Sequence, residues 1–137
     1  MKSTDFRDYK DGLIYIIGIG GCSTSGLAQI LHNMGYRVTG SDMQDTHYTE
    51  PLKELGIPFF VGHSEDHIKD ADLVAYSAAI KPTNVEYKYA MEHDIPMIER
   101  SVLLGQISKA YSDCICISGC HGKTTITSML AKIAIDA

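Results

Sequence analysis

No run of lysines or arginines occurs anywhere in the 137 residues, and 12 basic against 17 acidic side chains leave a formal net charge of -5. The pI is about 5.6. A polyphosphate backbone is held by a field of positive charge, so nucleic acid is not an expected partner. Long apolar runs are absent as well: the longest, around Leu13 to Ile19, falls far short of the roughly 20 residues that cross a bilayer as a helix. The polar amino end, MKSTDFRDYKDG, has no apolar h-region of the secretory kind. A cytoplasmic protein with no membrane association is the expectation. There is no internal repeat and no low-complexity segment.

Cysteine is sparse, and paired CxxC spacing is missing. The four cysteines are Cys22, Cys114, Cys116 and Cys120. The run Cys114-x-Cys116-xxx-Cys120-His121 has the residue types of a metal site, but Cys114 and Cys116 are expected on one face of a buried strand, as small apolar residues. Reduced cytosolic thiols are expected.

What is present is alternation. With 45% hydrophobic and 21% charged residues, the chain suits one compact domain and leaves little for a second. Leu13 to Ile17 is a continuous apolar strand of the kind a parallel sheet buries on both faces. From about Ser25 the residues Leu27, Ile30, Leu31 and Met34 recur at helical spacing, and Gly35 stands at a left-handed C-cap. Further strands are expected at Tyr36 to Thr39, Ile57 to Val61, Leu73 to Tyr76 and Met97-Ile98. Further helices are expected at Thr49 to Leu55, Glu65 to Lys69, Asn84 to His93 and Ser101 to Ser108, the last with Ser101 as N-cap. This order predicts an α/β fold, a Rossmann-like doubly wound parallel sheet over residues 1–110. Residues 111–137 are expected to open a second domain: a sixth strand, Cys114 to Ile117, then a glycine loop and a helix.

Two glycine loops carry the chemistry. Gly18-Ile19-Gly20-Gly21-Cys22-Ser23 follows a strand and opens a helix, where backbone amides can approach a diphosphate. Ser23 takes the place of the third glycine of the dinucleotide fingerprint, which weakens NAD as the ligand. Asp42, 24 positions after Gly18, stands where a carboxylate accepts from ribose hydroxyls, of NAD or of any ribose-diphosphate. Glycines that only tighten a turn, with an aspartate that only caps the next helix, would give the same letters. The second loop, Gly119-Cys120-His121-Gly122-Lys123-Thr124-Thr125, supplies amides, a lysine for the β and γ phosphates, and the Thr124 hydroxyl for Mg²⁺. It departs from the full GxxxxGK[ST] pattern in having Ile117 at the first glycine.

The ordered set GIGGCSTSGLAQIL, GYRVTGSD, GHSEDHIKDADLVAYSAAI and SGCHGKTTITSM resembles the amino-terminal part of the Mur ligases, from about Ile14 to the last residue. The resemblance implies a Rossmann-like first domain for a UDP-sugar, a central domain for ATP and Mg²⁺, and a third domain for an amino acid. It implies peptidoglycan synthesis, in which ATP phosphorylates the lactyl carboxylate of UDP-N-acetylmuramate and the amine of L-alanine attacks the acyl phosphate. Gly20, Gly21, Cys22 and Ser23 would then line the UDP diphosphate, and Asp42 would face the uridine. His63, Ser77, Ala78 and Ala79 would lie nearby, although a surface His63 and a turn or capping role for Ser77 are equally open. Gly119, Cys120, His121, Gly122, Lys123, Thr124 and Thr125 would hold the ATP phosphates, with Lys123 stabilising charge during transfer. The family usually has glycine and methionine at Ser23 and Thr24, and threonine at Cys120.

By the same resemblance the chain is an amino-terminal piece, expected to bind nucleotide sugar but not to ligate alone. The alternatives are a relative that attaches a murein tripeptide to the same nucleotide, an NAD-binding regulatory module, and an inactive interaction domain. Ile126, Met129, Leu130, Ile133 and Ala134 make one apolar stripe on the last helix. That stripe is expected to fold back, to mediate self-association, or to stay exposed.

Overall fold

The computed structural model describes residues 1–137, which form two compact units, Met1–Ile107 and Ser108–Ala137. In the first unit five strands, β1 (Leu13–Ile17), β2 (Arg37–Asp42), β3 (Phe59–Val61), β4 (Leu73–Tyr76) and β5 (Met97–Glu99), pair in the order β3-β2-β1-β4-β5. Every pairing is parallel. Between them run α1 (Cys22–Asn33), α2 (Glu50–Glu54), α3 (Glu65–Ile68) and α4 (Val85–Glu92), and α5 (Arg100–Ala110) follows β5.

The apolar run of β1 is continuous because both faces are covered. Ile14 and Ile16 point into a cluster with Leu27, Ala28 and Leu31 of α1, Leu52 of α2, and Leu103 and Ile107 of α5. Tyr15 and Ile17 point the other way, against Ile68 of α3, Val74 of β4 and Ala90 of α4. Two-fold alternation along one strand therefore places α1, α2 and α5 on one face and α3 and α4 on the other, the doubly wound arrangement. Each of the fully buried Ile and Leu side chains contributes about 1.5–3 kcal/mol over an exposed one.

α1 ends where its glycine requires it. Gly35 sits at φ +84°, so that Gly35 N–H donates to the His32 carbonyl at 2.8 Å and Tyr36 N–H to the Leu31 carbonyl at 3.0 Å, the paired bonds of a Schellman cap. Its start lies earlier than the apolar spacing suggests: the helix begins at Cys22, after the N-cap Gly21. β2 runs on to Asp42 rather than stopping at Thr39, because Gly40 and Ser41 stay in register with Ile16 and Ile17.

Three expectations need correction: the Ser101 cap, the strand Cys114 to Ile117, and the burial of Cys114 and Cys116. α5 begins at Arg100, directly after β5, so Ser101 is not an N-cap; its hydroxyl donates to the Glu99 carboxylate at 2.8 Å. Cys114 to Ile117 does not form a strand. Within the second unit no other strand offers ladder hydrogen bonds, and an apolar sequence without a pairing partner remains coil. All four cysteines are exposed and free, with the Cys114 and Cys116 sulfurs 3.8 Å apart. Beyond the end of α5 the second unit has one helix, α6 (Lys123–Asp136), whose Ile126, Met129 and Ile133 are exposed. No helix of the chain is long and apolar enough to cross a membrane.

Gly40 marks the tightest packing of the sheet: a Cβ there would stand 2.2 Å from the Ile16 carbonyl oxygen and 2.9 Å from the Ile19 Cβ. Gly40→Ala is expected to lower the unfolding free energy by about 3 kcal/mol. Urea denaturation of the two proteins checks this, and an unchanged midpoint refutes it.

Candidate functional site

β1 and β2 are adjacent and parallel, so the loops leaving their carboxyl ends meet. The first glycine loop hangs from β2: Gly18 and Ile19 N–H both donate to the Ser41 carbonyl, at 2.8 and 2.9 Å. Asp42 then clasps it, its Oδ2 accepting from Gly20 N–H at 2.9 Å while Oδ1 accepts from Gln44 N–H at 3.3 Å. Any side chain at Gly20 would collide with that carboxylate at 2.9 Å. Thr24 is buried and closes the loop from inside, its Oγ1 donating to the Gly18 carbonyl at 2.6 Å.

The loop is thus fixed, and the head of α1 is left open. The first backbone bond back from the helix is Ser25 N–H to the Gly21 carbonyl, so the amides of Cys22, Ser23 and Thr24 have no acceptor within the chain. Such a cluster, at the positive end of a helix, favours an anion. Ser23 Oγ accepts from the Arg100 guanidinium at 2.9 Å, which brings a cation to the same helix end. Of the expected residues, Gly20, Gly21, Cys22, Ser23 and Asp42 are therefore together.

His63 belongs to a neighbouring constellation that sequence reading did not find. Its centre is Glu86 of α4, fully buried. Glu86 Oε1 accepts from the Tyr15 hydroxyl at 2.8 Å and from Ser64 N–H at 3.2 Å. Its Oε2 accepts from the Ser41 hydroxyl at 2.5 Å and lies 2.9 Å from His63 Nδ1. His67 Nδ1 is 3.6 Å from Oε1 and makes no hydrogen bond, while its ring stacks on Phe60 with centroids 4.1 Å apart. A buried carboxylate needs such a set of donors. Asn84 fixes the position of Glu86 by capping α4, its side chain accepting from Glu86 N–H and Tyr87 N–H. Burial first, and then the charge of Glu86, push the Tyr15 phenol well above the ordinary tyrosine range, with Ser41 offsetting part of the shift.

Between the two clusters opens a hollow of about 330 Å³ lined by Met43, His63, Ala79, Ile80, Lys81, Thr83 and Asn84. Ile80 reaches the glycine loop, since a Cβ on Gly18 would meet its Cδ1 at 3.4 Å. Ala79 and His63 thus share a wall, while Ser77 and Ala78 precede it in a turn closed by Ile80 N–H on the Ser77 carbonyl. Larger hollows of about 470 and 390 Å³ involve Lys2 and Pro96, at the amino ends of β4 and β5. The smaller one lies at the carboxyl ends of the strands, where β1 and β4 diverge into opposite layers and open α/β sheets take their ligands.

In the second unit, Gly119 and Gly122 have φ of +152° and +76°, and Gly122 is the N-cap of α6. The first backbone bond is Ile126 N–H to the Gly122 carbonyl, so the amides of Lys123, Thr124 and Thr125 are unpaired like those of α1. Lys123 Nζ donates to the Gly119 carbonyl at 2.6 Å, across the mouth of the loop. Cys120 and His121 are exposed.

A glycine loop at the switch point of a 3-2-1-4-5 parallel sheet defines a Rossmann-like doubly wound unit. Residues 13–112 match the family described as "Mur ligase family, catalytic domain", and the chain belongs to the Mur ligase family. It is similar to UDP-N-acetylmuramate--L-alanine ligases of Acetivibrio thermocellus, at 49% identity over 90% of the chain and 26% of the relative, and of Clostridium botulinum, at 47% over 98% and 29%. The chain therefore spans little more than a quarter of the length of these relatives. Among solved structures, UDP-N-acetylmuramate-alanine ligase from Thermotoga maritima superposes with a TM-score of 0.81 at 34% identity, over 86% of the chain and 28% of its own. A murein peptide ligase from Psychrobacter arcticus gives 0.82 at 30% identity, over 88% and 25%.

The Tyr15 phenol stays neutral in the folded chain at a pH where an unfolded tyrosine ionises. Its raised pKa contributes stability that is complete below about pH 10 and declines as the pH rises further. Tyr15→Phe is expected to cost about 1–2 kcal/mol at neutral pH through the lost bond to Glu86. It should also flatten the fall of stability above about pH 10; urea midpoints of the two proteins falling in parallel there would refute this.

Proposed function

We propose that the chain supplies the sugar-nucleotide site and the ATP phosphate loop of a ligase that joins L-alanine to UDP-N-acetylmuramate. The observation that carries this reading is the set of free amides at Cys22, Ser23 and Thr24, held beside the Gly20–Asp42 clasp at the carboxyl edge of the sheet. That arrangement suits the UDP diphosphate, with Arg100 adding charge beside it. Asp42 spends one hydrogen bond on Gly20 and one on Gln44, and a carboxylate with about four lone-pair sites retains capacity for a ribose hydroxyl.

The donor set of the second loop fits a triphosphate: three unpaired amides, one ammonium and the Thr124 hydroxyl. Lys123 would leave the Gly119 carbonyl for the phosphates, and Thr124 would hold Mg²⁺ together with phosphate oxygens. ATP would phosphorylate the lactyl carboxylate, giving an acyl phosphate and ADP. The L-alanine amine would then displace phosphate and form the amide. By themselves the 137 residues are expected to bind nucleotide without completing that reaction. Curated relatives at 46–49% identity are alanine ligases, and among solved structures an alanine ligase at 34% stands slightly above murein peptide ligases at 30% and 29%, which favours alanine over a tripeptide.

In an NMR titration, UDP-N-acetylmuramate is expected to bind best among UDP-N-acetylmuramate, ATP and NADH, with shifts at Gly20, Gly21 and Asp42. Saturable NADH binding without UDP-sugar binding would overturn the assignment. For the second loop, iodoacetamide is expected to label Cys120, placed just ahead of the α6 amides, and ATP to suppress the labelling. Equal labelling with and without ATP counts against a phosphate site there.

A further inference from the structure

The partners of His63 determine which of its ring nitrogens carries the proton. Ser41 Oγ spends its hydrogen on Glu86 Oε2, so the serine oxygen can only accept from His63 Nδ1, 2.8 Å away. The second neighbour of Nδ1 is the carboxylate oxygen itself, at 2.9 Å, which also only accepts. Both therefore require Nδ1–H. Glu86 in turn receives donors from Tyr15, Ser64, Ser41 and His63, enough to fill a carboxylate's lone-pair sites without a second imidazole proton. Nε2 is left bare. It has no partner within the chain, and His63 lines the hollow between Met43 and Ile80.

We propose that Glu86 is a positioning residue that locks His63 as the Nδ1–H tautomer and so presents Nε2 as a hydrogen-bond acceptor that selects a uracil base, through its imide N3–H, over cytosine. This rests on the nucleotide-sugar reading. Ile80 forms the wall shared with the glycine loop, so a nucleotide whose diphosphate sits at α1 can place its base in this hollow. Uracil offers a donor at N3. Cytosine offers a lone pair at the same position, and two facing acceptors repel while each loses its hydration.

Glu86→Gln reverses the lock with little change of shape. The Ser64 amide can only donate, so it keeps the oxygen of the introduced carboxamide on the Oε1 side, and the carboxamide nitrogen must face Ser41 and His63. Nδ1 then becomes the acceptor, and the proton moves to Nε2.

The test combines nitrogen-15 imidazole spectra, with the His63 signal assigned through His63→Ala, and calorimetric titration with UDP and CDP. In the unaltered chain Nδ1 is expected to be protonated and Nε2 bare, and UDP to bind about tenfold or more tighter than CDP. Glu86→Gln should carry the proton on Nε2 and lose or invert that preference; His63→Ala should lose the preference and keep diphosphate binding. A proton on Nε2 of the unaltered chain, or equal binding of UDP and CDP, overturns the inference and leaves the nucleotide-sugar reading standing. So does a preference that survives the proton shift in Glu86→Gln. No binding of either diphosphate overturns both readings. If Glu86→Gln does not fold, the unaltered chain and His63→Ala decide.

Discussion

A carboxylate with no access to water dictates how the carboxyl edge of this sheet is arranged. An uncompensated charge at Glu86 would cost several kcal/mol, so each donor around it is under a constraint that backbone pairing alone does not impose. The donors come from β1, β2 and the segment between β3 and α3, while the carboxylate itself comes from α4. Strand pairing sets the register of β1 against β2. The Glu86 cluster adds a second tie, which holds α4 and the His63 segment to that register at the end where the loops emerge.

The first glycine loop depends on the same register. Its amides bond to the carbonyl of Ser41, whose hydroxyl bonds to Glu86, and to the side chain of Asp42, the next residue. One turn of backbone therefore shapes both the proposed anion site at α1 and the polar wall of the hollow. The close approach that permits it is Gly40 against Ile16. A larger residue would push β2 away from β1, and the Ser41 carbonyl would no longer reach Gly18 and Ile19.

Much of this was legible from residue order. The apolar run Leu13 to Ile17, the helical spacing of Leu27, Ile30, Leu31 and Met34, and Gly35 at the cap place the first β-α unit, because those signals are local. Gly20, Gly21, Cys22, Ser23 and Asp42 were found through loop spacing, and the structure brings them together. Glu86 was not found: it reads as one more polar residue of a surface helix, and its partners Tyr15 and Ser41 lie 71 and 45 positions away. The available signal was indirect. A tyrosine inside an apolar strand needs a partner for its hydroxyl, but nothing in the sequence says which. Cys114 to Ile117 failed for the opposite reason. Its pattern is that of a strand, and pattern specifies a strand only where another strand is present to pair with it.

The two glycine loops end in the same chemistry, three free amides at a helix head, yet they differ in what aims those amides. At α1 the loop is held by two bonds to Ser41, one to Asp42, two from Thr24 and one from Thr46, so the amides point the same way before any ligand arrives. At α6 the one side-chain tie across the loop is Lys123 to the Gly119 carbonyl, and an incoming phosphate must displace it. Binding at the proposed α1 site would therefore forfeit little ordering entropy, whereas binding at α6 would also have to free the lysine. Of the two proposed sites, the one at α1 is the more preorganised.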